Sequence, residues 1–437
     1  MKIAIIGAGI SGLTTAFYIK NQRDDVKIKI FEAESEVGGK MRTHKDEGFL
    51  IEIGSNGFLS NKPDTLELVK ESGCEDLLLR SEDNARKRFI FKESLCELPE
   101  SPKAFLKTPL LSFGGKLRVL CEPFISPKKD DSDETLQSFG YRRVGKEMSD
   151  VFLDAMVAGI FASTPSKISV NAAFPAVVKL EKEYGGLFKG MIKKKKKDAG
   201  PGGVLMSFKG GVSSFVEKLA ENFEIETEKE IKSIEKTENG YLVDGEEFDR
   251  VILSTPAFVS SELLKKIDEE ISLMLKDIEY SPISVVGLGY REFSHDLQGF
   301  GLLTTSSAKK EILGVLWDSS IFNDRAPKGK KLLRVMIGGQ RNPDNALKSE
   351  EELVDMAIEG IKETMGVYAK PDTAFAVRHE RGIPNYRVGH LERMNILFDR
   401  LNRHKGLYLS SNAYFGVGLN DCVSNAKKVA QKVVEEL

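Results

Sequence analysis

Four cysteines in 437 residues, Cys74, Cys96, Cys121 and Cys422, lie far apart and form no CxxC pair. Their scarcity excludes a disulfide framework or a thiolate metal centre and suits a reduced, intracellular protein. Histidine is as sparse: His44, His295, His379, His390 and His404 show no HxxxH or HxxH spacing, so no metal is expected. A surplus of one charge is also missing, with 64 basic against 66 acidic residues and a net charge of −2. A nucleic-acid binder would carry a strong basic excess, so no such partner is expected. No apolar run reaches about 18 residues, so no spanning helix is expected. A strand-like run begins at residue 2, so no secretory leader is expected. The expected location is cytoplasmic, and composition leaves peripheral contact with the inner face of the cell membrane open.

Glycine, by contrast, is plentiful at 39 residues, and its placement carries the argument. Ile3-Ala4-Ile5-Ile6 suits a parallel strand buried on both faces. Gly7-Ala8-Gly9-Ile10-Ser11-Gly12 follows as GxGxxG, with Leu13, Ala16 and Phe17 at helical spacing. Gly7 serves a tight turn, Gly9 admits a pyrophosphate, and Gly12 lets helix and strand approach closely. The helix N-terminus adds free N–H groups and the positive end of its dipole. A second strand, Val26 to Phe31, ends at Glu32, twenty residues after Gly12, where an acid accepts hydrogen bonds from ribose hydroxyls. This register predicts an α/β fold with a Rossmann-like dinucleotide domain.

Beyond Glu32, the run Gly38-Gly39-Lys40-Met41-Arg42-Thr43 resembles the second glycine motif (GG[RK]xxT) of the FAD-binding amine oxidase and protoporphyrinogen oxidase superfamily. There the paired glycines let backbone pass beside a large cofactor, and Thr43 or the basic pair Lys40 and Arg42 can reach its phosphates. Asp249 to Ala257 resembles the strand and ATPA-like turn of the same superfamily. Gly406 to Asn412 reads as a strand, followed by Gly416-Val417-Gly418-Leu419-Asn420-Asp421 and a last helix. Asn420 or Asp421 is its expected N-cap, and its N-terminus could stabilise negative charge on a reduced flavin.

Residues 154–192, DAMVAGIFASTPSKISVNAAFPAVVKLEKEYGGLFKGMI, resemble the signature of oxygen-dependent protoporphyrinogen and coproporphyrinogen III oxidases, a block that desaturases and amine oxidases lack. Ile53-Gly54-Ser55-Asn56-Gly57-Phe58 matches that family's flavin loop, with Ser55 for the usual proline. Arg88-Phe89-Ile90-Phe91 and Ile383-Pro384-Asn385-Tyr386 match in order. The resemblance implies non-covalent FAD, since no cysteine stands where covalent amine oxidases attach their flavin. It places cofactor contacts on Gly7 to Gly12 (Gly7, Ala8, Gly9, Ile10, Ser11, Gly12), Glu32 and Ala33, and on Gly39, Lys40, Arg42 and Thr43. Further contacts are implied at Gly54, Ser55, Asn56, Gly57, Ile231, Thr255, Asn412, Val417, Gly418 and Leu419. No side chain is implied as catalyst, while Arg88 would face a substrate carboxylate.

The implied reaction is oxidation of protoporphyrinogen IX in haem biosynthesis, with molecular oxygen as acceptor and hydrogen peroxide as by-product. Coproporphyrinogen III is the alternative substrate. A divergent amine oxidase, a carotenoid desaturase and a flavin-free binding protein of the GDP dissociation inhibitor type share the frame. A membrane surface and a ferrochelatase-like partner complete the expected contacts. Three domains are expected: an FAD domain from 1–75, 200–268 and 396–437; a mixed α+β substrate domain from 76–90, 181–199 and 269–395; and a helical domain from 91–180, open to membrane association. Lys193 to Lys197, bounded by Gly200-Pro201-Gly202-Gly203, reads as a solvated loop or as an attractor for anionic lipid. Between 162 and 175, Ser169 or Asn171 is expected to cap a short helix.

Overall fold

The computed structural model describes residues 1–197 and 203–437. The opening apolar run becomes the central strand of a five-stranded parallel sheet, ordered Glu224–Glu226, Lys27–Phe31, Lys2–Ile6, Arg250–Leu253 and Leu407–Leu409. Such a sheet must be covered on both faces, and alternate residues divide between two cores. Ile3, Ile5, Ile30 and Ile252 pack with residues of the Ile10–Gln22 and Leu419–Glu435 helices. Ala4, Ile6, Val251 and Leu253 pack against a meander of Ile234–Lys236, Tyr241–Val243 and Glu246–Phe248. Asp244 and Gly245 join two of those strands at φ of 44° and 86°, the two-residue hairpin geometry their sequence suggests.

A second, seven-stranded sheet runs in the order Thr373–Pro384, Tyr280–Tyr290, Lys331–Gly338, Ile312–Leu316, Gly301–Thr304, Phe89–Phe91 and Leu95–Glu97. The last strand corrects the expectation that 91–180 is helical throughout. Phe89–Phe91 pairs in parallel with Gly301–Thr304 and then folds back onto Leu95–Glu97, so the chain leaves this sheet only afterwards.

A helical layer follows, centred on Leu111, Phe139, Val157, Phe161 and Leu187. Ser169 caps the Val170–Ala173 helix by accepting from Ala172 N at 3.0 Å. The Leu187–Lys197 helix, assigned from sequence to the substrate domain within 181–199, packs here beside Pro175–Tyr184. Lys193 to Lys197 therefore end a helix instead of forming a loop. The cause is a buried cap: the fully buried Glu122 accepts from Leu187 N at 2.8 Å and Phe188 N at 3.2 Å while paired with buried Arg143. Gly200, Pro201 and Gly202 lie outside the described residues. Among the described residues no helix is long and apolar enough to cross a membrane.

Candidate functional site

The first glycine loop sits at the carboxyl end of the central strand. Gly7 has φ +103°, and a Cβ there would lie 2.8 Å from Ser254 O. At Gly12 a Cβ would lie 2.0 Å from Gly7 O, so the fold itself demands both glycines. Gly9 is different: its φ of −75° suits any residue, and a Cβ would meet only Gly38 O at 4.0 Å. Nothing in the protein requires glycine at 9, so the space beside it fits a group the protein does not supply. Gly9 is also the N-cap of the Ile10–Gln22 helix, with no side chain capping it, which leaves the first-turn N–H groups of Ile10, Ser11 and Gly12 for an anion. Glu32 is buried beside this loop, accepting from Ala8 N at 2.8 Å and Glu34 N at 3.1 Å; Ala33 is exposed next to it.

The second glycine loop lies directly against the first. Gly38 N donates to Ala8 O at 2.9 Å, Gly9 and Gly38 form a parallel bridge, and a Cβ on Gly39 would sit 3.7 Å from Gly9 Cα. Arg42 is half-buried, with only a 4.0 Å contact to the exposed Glu36. Lys40 reaches the opposite wall, donating to the Gly382 carbonyl, and burial lowers its pKa to about 8. Thr43 corrects the sequence reading. Its hydroxyl donates to Glu52 Oε2 at 2.6 Å and accepts from Ser213 N at 3.2 Å, so it ties the loop inward.

The third wall is the loop after the Phe49–Glu52 strand. Arg334, on the seven-stranded sheet, donates from Nη1 to Glu52 O at 2.9 Å and Gly54 O at 3.2 Å. Asp318 grips the rest of that guanidinium through Nε and Nη2, at 2.8 and 3.0 Å. His379 Nε2 lies 2.8 Å from Ile53 O, and burial lowers its pKa, so the neutral ring donates from that nitrogen. Below these anchors, Ser55 makes only a 3.4 Å contact to Gly57 O, and both polar atoms of the Asn56 amide are buried without a partner among the described residues. An amide left with four empty hydrogen-bonding positions points to a ligand edge beside it.

The remaining predicted residues scatter. Thr255, half of the turn that closes over Gly7, shares a hydrogen bond with Ser260 at 2.8 Å, whereas neighbouring Ser254 Oγ is buried without a partner among the described residues. Asn412 O accepts from Tyr386 OH at 2.6 Å, and Tyr386 in turn accepts from Gly416 N at 2.7 Å, fixing the turn that carries Val417. The last helix starts at Leu419 with Gly418 as an uncapped N-cap. This corrects the expected cap: Asn420 is spent on Thr65 Oγ1 and Leu59 O, at 2.6 and 2.9 Å, and Asp421 on Lys62. Ile231 is buried in the core with Phe31 and Tyr241. Arg88 lies apart from the glycine loops, exposed, with its guanidinium 5.2 Å over the Phe300 ring. Cys422 is buried, its thiol pushed up to about 12 and therefore protonated and unreactive. Sequence reasoning gave no role to Arg334, Asp318 or His379; Asp318 stands in the run Leu313 to Ser320, which resembles the family, whereas no local motif marks Arg334 or His379. Among the described residues no cluster of histidine, cysteine or acid could hold a metal.

The flavin containing amine oxidoreductase family matches residues 10–434. The chain is similar to the coproporphyrinogen III oxidase of Bacillus subtilis (strain 168), at 28% identity over 97% of this chain and 96% of that protein. It is equally similar to the chloroplastic protoporphyrinogen oxidase 1 of Spinacia oleracea, at 28% over 100% of this chain and 84% of that one. A solved structure of a candidate protoporphyrinogen oxidase from Exiguobacterium sp. 255-15 matches with a TM-score of 0.89 at 26% identity, covering 100% of this chain and 99% of its own.

Proposed function

The chain belongs to the flavin containing amine oxidoreductases, and from that premise we propose that it is an FAD-dependent, oxygen-using porphyrinogen oxidase, converting protoporphyrinogen IX to protoporphyrin IX in haem biosynthesis. When bound, the flavin supplies a two-electron acceptor for a substrate carbon–hydrogen bond, and oxygen restores it. What the chain supplies is position. The helix N-termini at Ile10 and Leu419, the N–H-rich glycine loops and the charges of Lys40 and Arg42 suit a bound dinucleotide. His379 and His390 are neutral and each commits Nε2–H to a carbonyl, Ile53 O or Tyr414 O, both at 2.8 Å, so neither is free to shuttle protons. A substrate that aromatises as it is oxidised needs no such base and relies on orientation.

The observation that carries this reading is the location of Arg88. Arg334 pairs with Leu316 and Leu316 with Gly301, and the Leu302–Phe89 pair sets Arg88 beside Gly301. The residue proposed to hold a propionate thus lies on the same row as the one that holds the 52–54 loop, three strands away, or about 14 Å. That is the scale of one tetrapyrrole. Stacked on Phe300, and with no acidic partner among the described residues, the Arg88 guanidinium keeps its in-plane donors for a carboxylate.

Coproporphyrinogen III is the second reading, favoured by the name of the Bacillus relative. The test is growth of porphyrin fluorescence with both substrates side by side, using FAD-loaded protein in air and a heat-killed control. Faster growth with protoporphyrinogen IX is expected. Preference for coproporphyrinogen III would install the second reading, and turnover of neither would refute both.

The helical layer supports peripheral membrane contact. Phe113 and Phe124 are 83% and 85% exposed, Leu106, Leu117 and Leu120 are exposed, and Lys103, Lys107 and Lys129 are exposed on the same stretch of chain. Apolar tips accompanied by lysines suit an anionic bilayer surface. Co-sedimentation with phosphatidylglycerol vesicles should be lost when both phenylalanines become serine; equal sedimentation of the variant would remove this reading.

A further inference from the structure

The loop after Glu52 is held by side chains from the other sheet, one residue after another. Carbonyls 52 and 54 go to Arg334 Nη1, and carbonyl 53 goes to His379 Nε2. In extended chain alternate carbonyls face opposite ways, so one fork can take 52 and 54 while a second donor must take the one between. Arg334 and Asp318 are 1% and 0% exposed. A buried ion pair is poor value as stability alone, because desolvation cancels most of its attraction. What a planar guanidinium adds is geometry: five donors in one rigid plane, two of them, on Nε and Nη2, facing Asp318 and the two on Nη1 facing the loop. A lysine at 334 could satisfy Asp318 but could not hold two carbonyls and both carboxylate oxygens in that plane.

We propose that Arg334, oriented by Asp318, and His379 are positioning residues that set the 53–57 loop, and with it the unpartnered Asn56 amide, at a fixed height over the sheet that carries Arg88. They touch neither cofactor nor substrate by this account. They define the gap between them. The inference rests on the reading of 53–57 as a flavin-contacting loop, and its test separates the two.

Three variants of the full-length protein, Asn56→Ala, Arg334→Lys and His379→Leu, are compared with wild type. The readouts are the FAD dissociation constant, the visible circular dichroism of the bound flavin, and the melting temperature of the apoprotein. Arg334→Lys and His379→Leu should each weaken FAD binding about 10-fold or more and change the visible dichroism, because the loop loses its setting. His379→Gln, which keeps a donor for the Ile53 carbonyl, should restore both. If Arg334→Lys does not fold, His379→Leu decides alone. Unchanged affinity and dichroism in the foldable variants, with only the apoprotein melting lower, would mean a merely structural role and overturn the proposal. Unchanged affinity and dichroism in Asn56→Ala would instead defeat the flavin-loop reading on which it stands.

Discussion

At the nucleotide end of the cleft, loops 7–12 and 38–43 meet through backbone: Gly38 N on Ala8 O, Gly9 bridged to Gly38, and a helix N-terminus left bare by a glycine cap. At the ring end, loop 52–57 hangs from long side chains that start far away, Arg334 and His379 above it and Arg325 beneath, where Arg325 lies 3.0 Å from Glu52 Oε1 with both groups fully buried. On the proposed function, the first end recognises something every dinucleotide has, a pyrophosphate. Glycine and peptide N–H groups suffice for that. The second, on the proposed function, must set a distance between a flavin ring and a bulky macrocycle, and that calls for rigid forks and buried ion pairs. Substitutions should therefore fail differently at the two ends.

The largest effect is expected beneath the ring end. Arg325→Met strands the Glu52 carboxylate in the core and should cost about 3–5 kcal/mol in urea unfolding of the apoprotein. A loss under about 1 kcal/mol would show that this end is not held by its ion pairs. Gly9→Ala should do the reverse. Its Cβ enters open space, so apoprotein stability should barely move, while FAD affinity falls about 10-fold or more, a difference of about 1.4 kcal/mol. Equal FAD titration curves for Gly9→Ala and wild type would dissolve the contrast between the two ends.

A change of pH sharpens the comparison without any substitution. Lys40 spans both ends, and burial lowers its ammonium from 10.5 to about 8. Below pH 8 the group is charged in folded and unfolded chains alike, and its burial is a cost to the fold. Between about 8 and 10.5 the folded chain has released a proton that the unfolded chain keeps, so apoprotein stability should rise with pH across that window. If Lys40 serves the cofactor as proposed, FAD affinity should move the other way, falling by up to about tenfold per pH unit above 8 as its charge disappears. Lys40→Arg should flatten both profiles; wild-type profiles that are already flat would remove Lys40 from the phosphate site.

The same contrast explains what could be read from the chain alone. Gly7, Gly12 and Glu32 were legible because a turn, a helix start and a strand end lie within thirty-two residues of the first methionine. Thr43 was half legible: its motif was visible, but its inward bond to Glu52 depends on a fold-level contact. Arg334 was invisible, since its partners Glu52 and Gly54 lie 282 and 280 residues away, and no periodicity or spacing encodes such a pairing. The lysine run misled for the opposite reason. Its local composition says solvated loop, and a buried glutamate 65 residues upstream of the helix start says helix.

The central claim is that the electrons of a porphyrinogen pass to a flavin held between these two ends. Anaerobic mixing of FAD-loaded protein with a stoichiometric porphyrinogen, followed by visible absorbance, tests it most directly. Bleaching of the flavin band is expected together with appearance of oxidised tetrapyrrole absorption, with return of the flavin band when air is admitted. A flavin band that stays unbleached by either porphyrinogen, in protein shown to bind FAD, would contradict it.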